Sequence, residues 1–130
     1  MPPAAAVACS ADAMVISAAG ETLKFDKDKL TAKAGAQVKV CLKNVSTVND
    51  HNWVLVKPGT KDAVATAGVT AGAGSDWIPA SDNVLAKTKL IVKGQTGEVG
   101  FTVPAAGKYQ YVCTFPGHNL TMFGEFEATP

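Results

Sequence analysis

The chain has 130 residues, 47% hydrophobic and 18% charged, with a formal net charge of +1. These proportions suit one globular domain, argue against disorder and against a nucleic-acid binder, and leave no apolar run near the roughly 20 residues of a membrane-spanning helix. With two histidines, three cysteines and three methionines, any site needing many imidazoles is excluded.

The first segment, Met1 to Ala8, is small in character and is expected to fray. It lacks the basic start and long apolar stretch of a signal peptide, so the sequence reads as cytosolic or as a mature, trimmed form. Ala6-Val7-Ala8-Cys9 faintly matches a lipoprotein cleavage box without its upstream apolar region. Met14 is assigned to strand packing. Val38, Val40 and Leu42 then alternate with Lys39, Cys41 and Lys43. His51, Trp53 and Leu55 share one face of the next strand, with Asn52, Val54 and Val56 on the other. Residues 57–83 break the rhythm as a long excursion, with Ala-rich 61–72 expected as a short helix or irregular loop and Trp77 as a cap at one end of the fold, its distance from any site left open. Strand character returns at 84–91, where Lys87, Lys89 and Lys93 read as a solvated face. Val99, Phe101 and Val103 form another one-faced set, followed by Tyr109, Tyr111 and Cys113. In the last strand Met122, Gly124, Phe126 and Ala128 oppose Phe123, Glu125 and Glu127. Many short alternating strands with Gly/Pro turns predict an all-β protein, a Greek-key β-sandwich or barrel of about eight strands, in a single domain spanning 1–130.

The chemistry concentrates in Cys113-Thr114-Phe115-Pro116-Gly117-His118-Asn119-Leu120-Thr121-Met122, a loop between two predicted strands. It carries a thiol, an imidazole and a thioether. The only other histidine, His51, lies far away in His51-Asn52-Trp53-Val54-Leu55. Cys113 alone would read as a core thiol, His118 as a surface imidazole and Met122 as core filler. Together with His51 they supply the two imidazoles, one thiolate and weak axial thioether of an electron-transfer copper site. Soft sulfur suits Cu(I) and imidazole suits Cu(II), so a fixed compromise set need move little when an electron passes.

Cys-Thr-Phe-Pro-Gly-His with Met four residues later, together with His-Asn-Trp-Val-Leu, resembles the cupredoxin family of type 1 blue copper proteins, in particular its azurin and auracyanin branches. Residues 36–128 carry most of the likeness. The resemblance implies copper as cofactor, with His51, Cys113 and His118 as strong ligands and Met122 as axial ligand. It implies that Asn52 ties its segment to Thr114, that the Asn52 and Phe115 amides point at the Cys113 sulfur, and that Asp50 stands where azurins have a glycine whose carbonyl approaches the metal. His118 becomes the electron port, collared by Pro116, Gly117, Leu120 and Phe115. Azurins also carry a disulfide near the N-terminus. Cys9 could match its first half, but Cys41 lies later than the second half should, so the sequence leaves a Cys9–Cys41 bond open.

The implied function is one-electron transfer, not catalysis. A multicopper oxidase or nitrite reductase would need more histidines than remain. A Cys113–His118 nucleophile pair would leave His51 and Met122 unexplained. A zinc or chaperone role would accept Cys and two His but gains little from Met. The expected partners are redox proteins: a quinol-oxidising complex and a cytochrome or reaction centre for an auracyanin-like chain, respiratory or denitrifying proteins for an azurin-like one. The expected state is a monomer at the periplasmic face of a membrane, with a possible tether in the full-length precursor.

Overall fold

The computed structural model describes residues 9–130; the expected fraying of 1–8 and the cleavage box at 6–8 lie outside the described residues. Eight strands are present there: β1 (Met14–Ser17), β2 (Lys29–Lys33), β3 (Gln37–Lys43), β4 (Val54–Val56), β5 (Val84–Lys87), β6 (Thr96–Thr102), β7 (Gly107–Val112) and β8 (Phe123–Thr129). The excursion folds as helix α1 (Lys61–Ala71) followed by a short 3₁₀ turn at Ala73–Ser75. Of the strand expected at 84–91, only Val84–Lys87 pairs as one.

The strands form two sheets, β1-β3-β6 and β2-β8-β7-β4-β5, that stay open and face each other as a sandwich. β1 runs parallel to β3 and β2 parallel to β8, and the other pairings are antiparallel. Alternation decides what lies between the sheets: Val40 and Leu42 of β3 meet Tyr111 of β7 and Phe126 of β8 around the fully buried Trp53. The Trp53 ring lies 5.7 Å from Tyr111 and 5.9 Å from Phe101, centroid to centroid. Close packing leaves no room for a methyl group on β8, where a Cβ on Gly124 would lie 2.3 Å from the Tyr111 ring.

Two features depart from plain strand alternation. Both faces of β4 are buried, because α1 lays Val64 over the outward Val54, Val56 and Val112 in a second apolar cluster. Gly68 allows the helix to approach its following segment, since a Cβ there would stand 2.1 Å from the Trp77 carbonyl oxygen. Cys41 is also fully buried although it faces away from Val40 and Leu42, because it is bonded to Cys9 with the Cα atoms 5.7 Å apart. Ser10 fastens the same segment through its backbone and hydroxyl to Glu98 on β6. Among the described residues, no helix is long and apolar enough to cross a membrane.

Candidate metal centre

Cys113 follows the last residue of β7, and its backbone N–H donates to the Met122 carbonyl at 3.0 Å. That bond pinches residues 113–122 into a loop closed at its base, directly beyond the last β7–β8 pair, Val112 with Phe123. Within it, Gly117 takes the left-handed conformation (φ 83°) and starts a 3₁₀ turn at His118–Leu120. Here glycine meets a conformation that L side chains resist. The Thr121 and Met122 amides both donate to the His118 carbonyl, at 3.2 and 2.8 Å.

His51 arrives from the other side. Its backbone exchanges hydrogen bonds with Ile91 in both directions, at 3.1 and 2.7 Å. The next residue joins the two segments. Asn52 accepts from the Thr114 amide (2.8 Å) through Oδ1, and its Nδ2 donates to Thr114 Oγ1 (2.8 Å) and the Asp76 carbonyl (3.0 Å). Asn52 and Thr114 are fully buried, where unmet polar groups are costly. A carboxamide suits this bridge because it donates and accepts at once.

The result is a convergence of three side chains. Cys113 Sγ lies 3.8 Å from His51 Nδ1 and 3.6 Å from His118 Nδ1, and one donor atom from each residue falls within 4.8 Å of the others. Met122 is fully buried and belongs to the same apolar cluster as Cys113. Burial pushes the Cys113 thiol up to about 11, against the opposing pull of the Asn52 and Phe115 amides. Burial also holds His51 down at about 4, helped by the nearby His118 and opposed by Asp50 and Glu21; His118 is lowered by burial alone. Such a centre resists protonating its imidazoles and resists ionising its thiol unless a cation supplies the compensating charge. Two neutral nitrogens and one latent thiolate in a dry pocket fit a borderline-soft transition metal.

His118 is 5% exposed, while His51 is sealed off. Phe115 and Pro116 are half-buried, and Gly117 and Leu120 lie exposed beside them, Leu120 at 73%. Asp50 turns its carboxylate to the Lys93 amide, 3.2 Å away. Trp77, which the sequence left unplaced relative to the site, packs edge-on to Phe115 at 5.9 Å between centroids, and Phe115 lies 4.6 Å from His118. That position comes from consecutive left-handed residues, Asp76 (φ 56°) and Trp77 (φ 60°), beside the Asp76 carbonyl that Asn52 holds.

Sequence reasoning missed the support beneath His51. Buried Asn44 donates to the Asn49 and Ile91 carbonyls (2.9 and 2.8 Å), while its Oδ1 accepts from the Ser46 amide. Glu21 reaches across to the Thr47 amide and hydroxyl. The Asn44-to-Ser46 contact is an Asx turn, and Asn followed by Val-Ser-Thr was the available signal.

Residues 12–128 match the sequence profile of the copper-binding proteins of the plastocyanin/azurin family. Over 113 residues the chain is 46% identical to auracyanin-A of Chloroflexus aurantiacus, covering 85% of this chain and 70% of that one. It is 37% identical to azurin-1 of Alcaligenes xylosoxydans xylosoxydans, over 88% of this chain and 95% of that one. The solved structure of auracyanin A, a "blue" copper protein from the photosynthetic bacterium Chloroflexus aurantiacus, superposes with a TM-score of 0.86 at 43% identity, covering 90% of this chain and 98% of that one.

Proposed function

The chain belongs to the plastocyanin/azurin family of copper-binding proteins and is a blue copper electron carrier, and from that premise we propose how its own residues do the work. His51, Cys113 and His118 would hold the copper, and Met122 would add a weaker thioether contact. The observation that carries this is the pair of Nδ1 atoms at 3.8 and 3.6 Å from one fully buried thiol sulfur. When bound, copper supplies a one-electron couple between its divalent and monovalent states.

Cys113 would hold the metal as its thiolate, its proton passing to solvent. The Asn52 and Phe115 amides direct their hydrogens at its sulfur and draw off part of its charge. The Asn52 bridge and the His51–Ile91 pair hold both imidazoles in place whichever charge the site carries, so little rearrangement accompanies electron gain or loss. His118 reaches the surface through a collar of Pro116, Gly117, Leu120 and Phe115, which excludes water and offers an apolar face to a partner. With a net charge of +1, docking depends more on this face than on long-range steering.

The role extends from the auracyanin likeness: a monomeric carrier, one domain over 1–130, at the periplasmic face of a membrane and tethered there in a full-length precursor. It passes electrons from a quinol-oxidising complex toward a cytochrome or reaction centre and transforms no substrate. The test is a titration of metal-free protein with Cu(II), followed by visible absorption. One equivalent should give an intense blue band, absent in Cys113→Ser. A wild-type protein that binds Cu(II) without that band would overturn the assignment.

A further inference from the structure

Helix α1 begins without a cap of its own. Thr60 makes no side-chain capping bond. The first helical residues instead find partners elsewhere: the Lys61 amide donates to Gln110 Oε1 on β7 at 3.3 Å. Their side chains reach the metal-binding loop. Asp62 Oδ1 accepts from Asn119 Nδ2 at 2.9 Å and from Lys61 Nζ at 2.8 Å. Lys61 Nζ also donates to the Asn119 carbonyl at 3.4 Å and sits 4.1 Å from the centre of the Phe123 ring. The loop stretch that carries His118 and Met122 is therefore gripped at Asn119, and its exit is gripped at Phe123.

Two observations set this apart from an ordinary surface ion pair. Neighbouring residues on a helix do not face each other, yet Lys61 and Asp62 meet because both turn toward Asn119. A surface lysine is normally well exposed, yet the Lys61 side chain is only 15% exposed, its ammonium over the Phe123 ring, while its partner Asp62 remains 68% exposed. Water screens an open pair to near nothing, whereas here the ammonium is shielded on one side by an aromatic face.

We propose that Lys61 and Asp62 are positioning residues that fix the His118–Met122 stretch in its ligating shape before any metal arrives. The inference rests on the ligand assignment above for its significance, but the grip concerns the metal-free chain. The excursion between β4 and β5 thereby acquires two tasks. Its Val64 backs β4 and β7, the strands that follow His51 and lead into Cys113, and its first turn holds the loop that carries the other ligands.

The test is amide hydrogen exchange in metal-free protein at Thr121 and Met122, whose N–H groups both bond the His118 carbonyl. The double variant Lys61→Met, Asp62→Ala should speed exchange there about tenfold, leaving the β3–β6 amides unchanged. Ala67→Gly, at an exposed helix position remote from the loop, weakens α1 alone and should leave Thr121 and Met122 slow. Equal acceleration by Ala67→Gly, or none in the double variant, would overturn the proposal. In copper-loaded protein, the double variant should also lose Cu(II) to excess EDTA several-fold faster. If wild-type protein takes no copper while the exchange result holds, the grip stands and the ligand assignment falls. If copper binds and exchange is unmoved, the reverse is true.

Discussion

Replacing Asn52 by alanine removes the one side chain that joins both ligand-bearing segments. Three hydrogen bonds disappear, to the Thr114 amide, Thr114 Oγ1 and the Asp76 carbonyl, all between 2.8 and 3.0 Å. At about 1 kcal/mol net for each, the bonds alone amount to about 3 kcal/mol. The Thr114 amide, left without its acceptor in a fully buried position, adds about 1–2 kcal/mol. The expected loss in metal-free protein is therefore about 4–5 kcal/mol, a large part of the roughly 5–15 kcal/mol that holds a typical domain together. For a chain of this size it corresponds to a drop in Tm of roughly 10–20 °C. Urea unfolding followed by circular dichroism measures it. Thr114→Val removes only the hydroxyl acceptor and should cost about 1 kcal/mol, with a coupling of about that size in the double-mutant cycle. A loss below about 1 kcal/mol for Asn52→Ala would mean that the two segments are held by something other than this bridge.

Other outcomes follow from the packing and the charges. In metal-free protein the His51 ring should titrate near pH 4, read from its ring-proton NMR shifts. Between its unfolded value of about 6.5 and that pH the unfolded chain binds the proton and the native one does not, so this group's share of stability is complete above the window and declines as pH falls through it; a midpoint near 6.5 would refute the dry pocket. Gly124→Ala drives a methyl group into the Tyr111 ring and should cost at least about 2 kcal/mol by thermal unfolding. Cys9→Ala, Cys41→Ala opens a crosslink spanning 32 residues and should cost about 3–4 kcal/mol on chain entropy, leaving the blue band of the copper-loaded protein in place.

The sequence was most legible where one rule acted alone. The inward faces of β3, β7 and β8 followed from alternation, because one side of each packs into the main core. The convergence of Cys113 with His51 and His118 was legible for a different reason: a rare thiol and two rare imidazoles have few other uses. Legibility failed where a second element covered what a strand pattern marks as outer. Cys41 and Val54 point away from the main core, yet both are buried, one beneath a disulfide-bound segment and the other beneath α1. Trp77 was unplaceable because its location depends on two left-handed residues that carry no glycine to announce them.

The parallel pairing of β2 with β8 bears on how the molecule is made. Leu30 sits opposite Phe126, so β2 has no sheet partner until β8 has left the ribosome. Contacts of such long sequence separation are slow to form, since the chain must close a large loop before gaining anything from them. Within the loop so closed, His51 and Cys113 stand 62 residues apart. Early in folding, copper would meet a thiol and two imidazoles on a floppy chain, and the centre that selects it exists only when the last strand has slotted between β2 and β7. Metal loading is thus expected only once β8 has folded in, and truncation into β8 should abolish the copper centre even though every proposed ligand remains in the sequence.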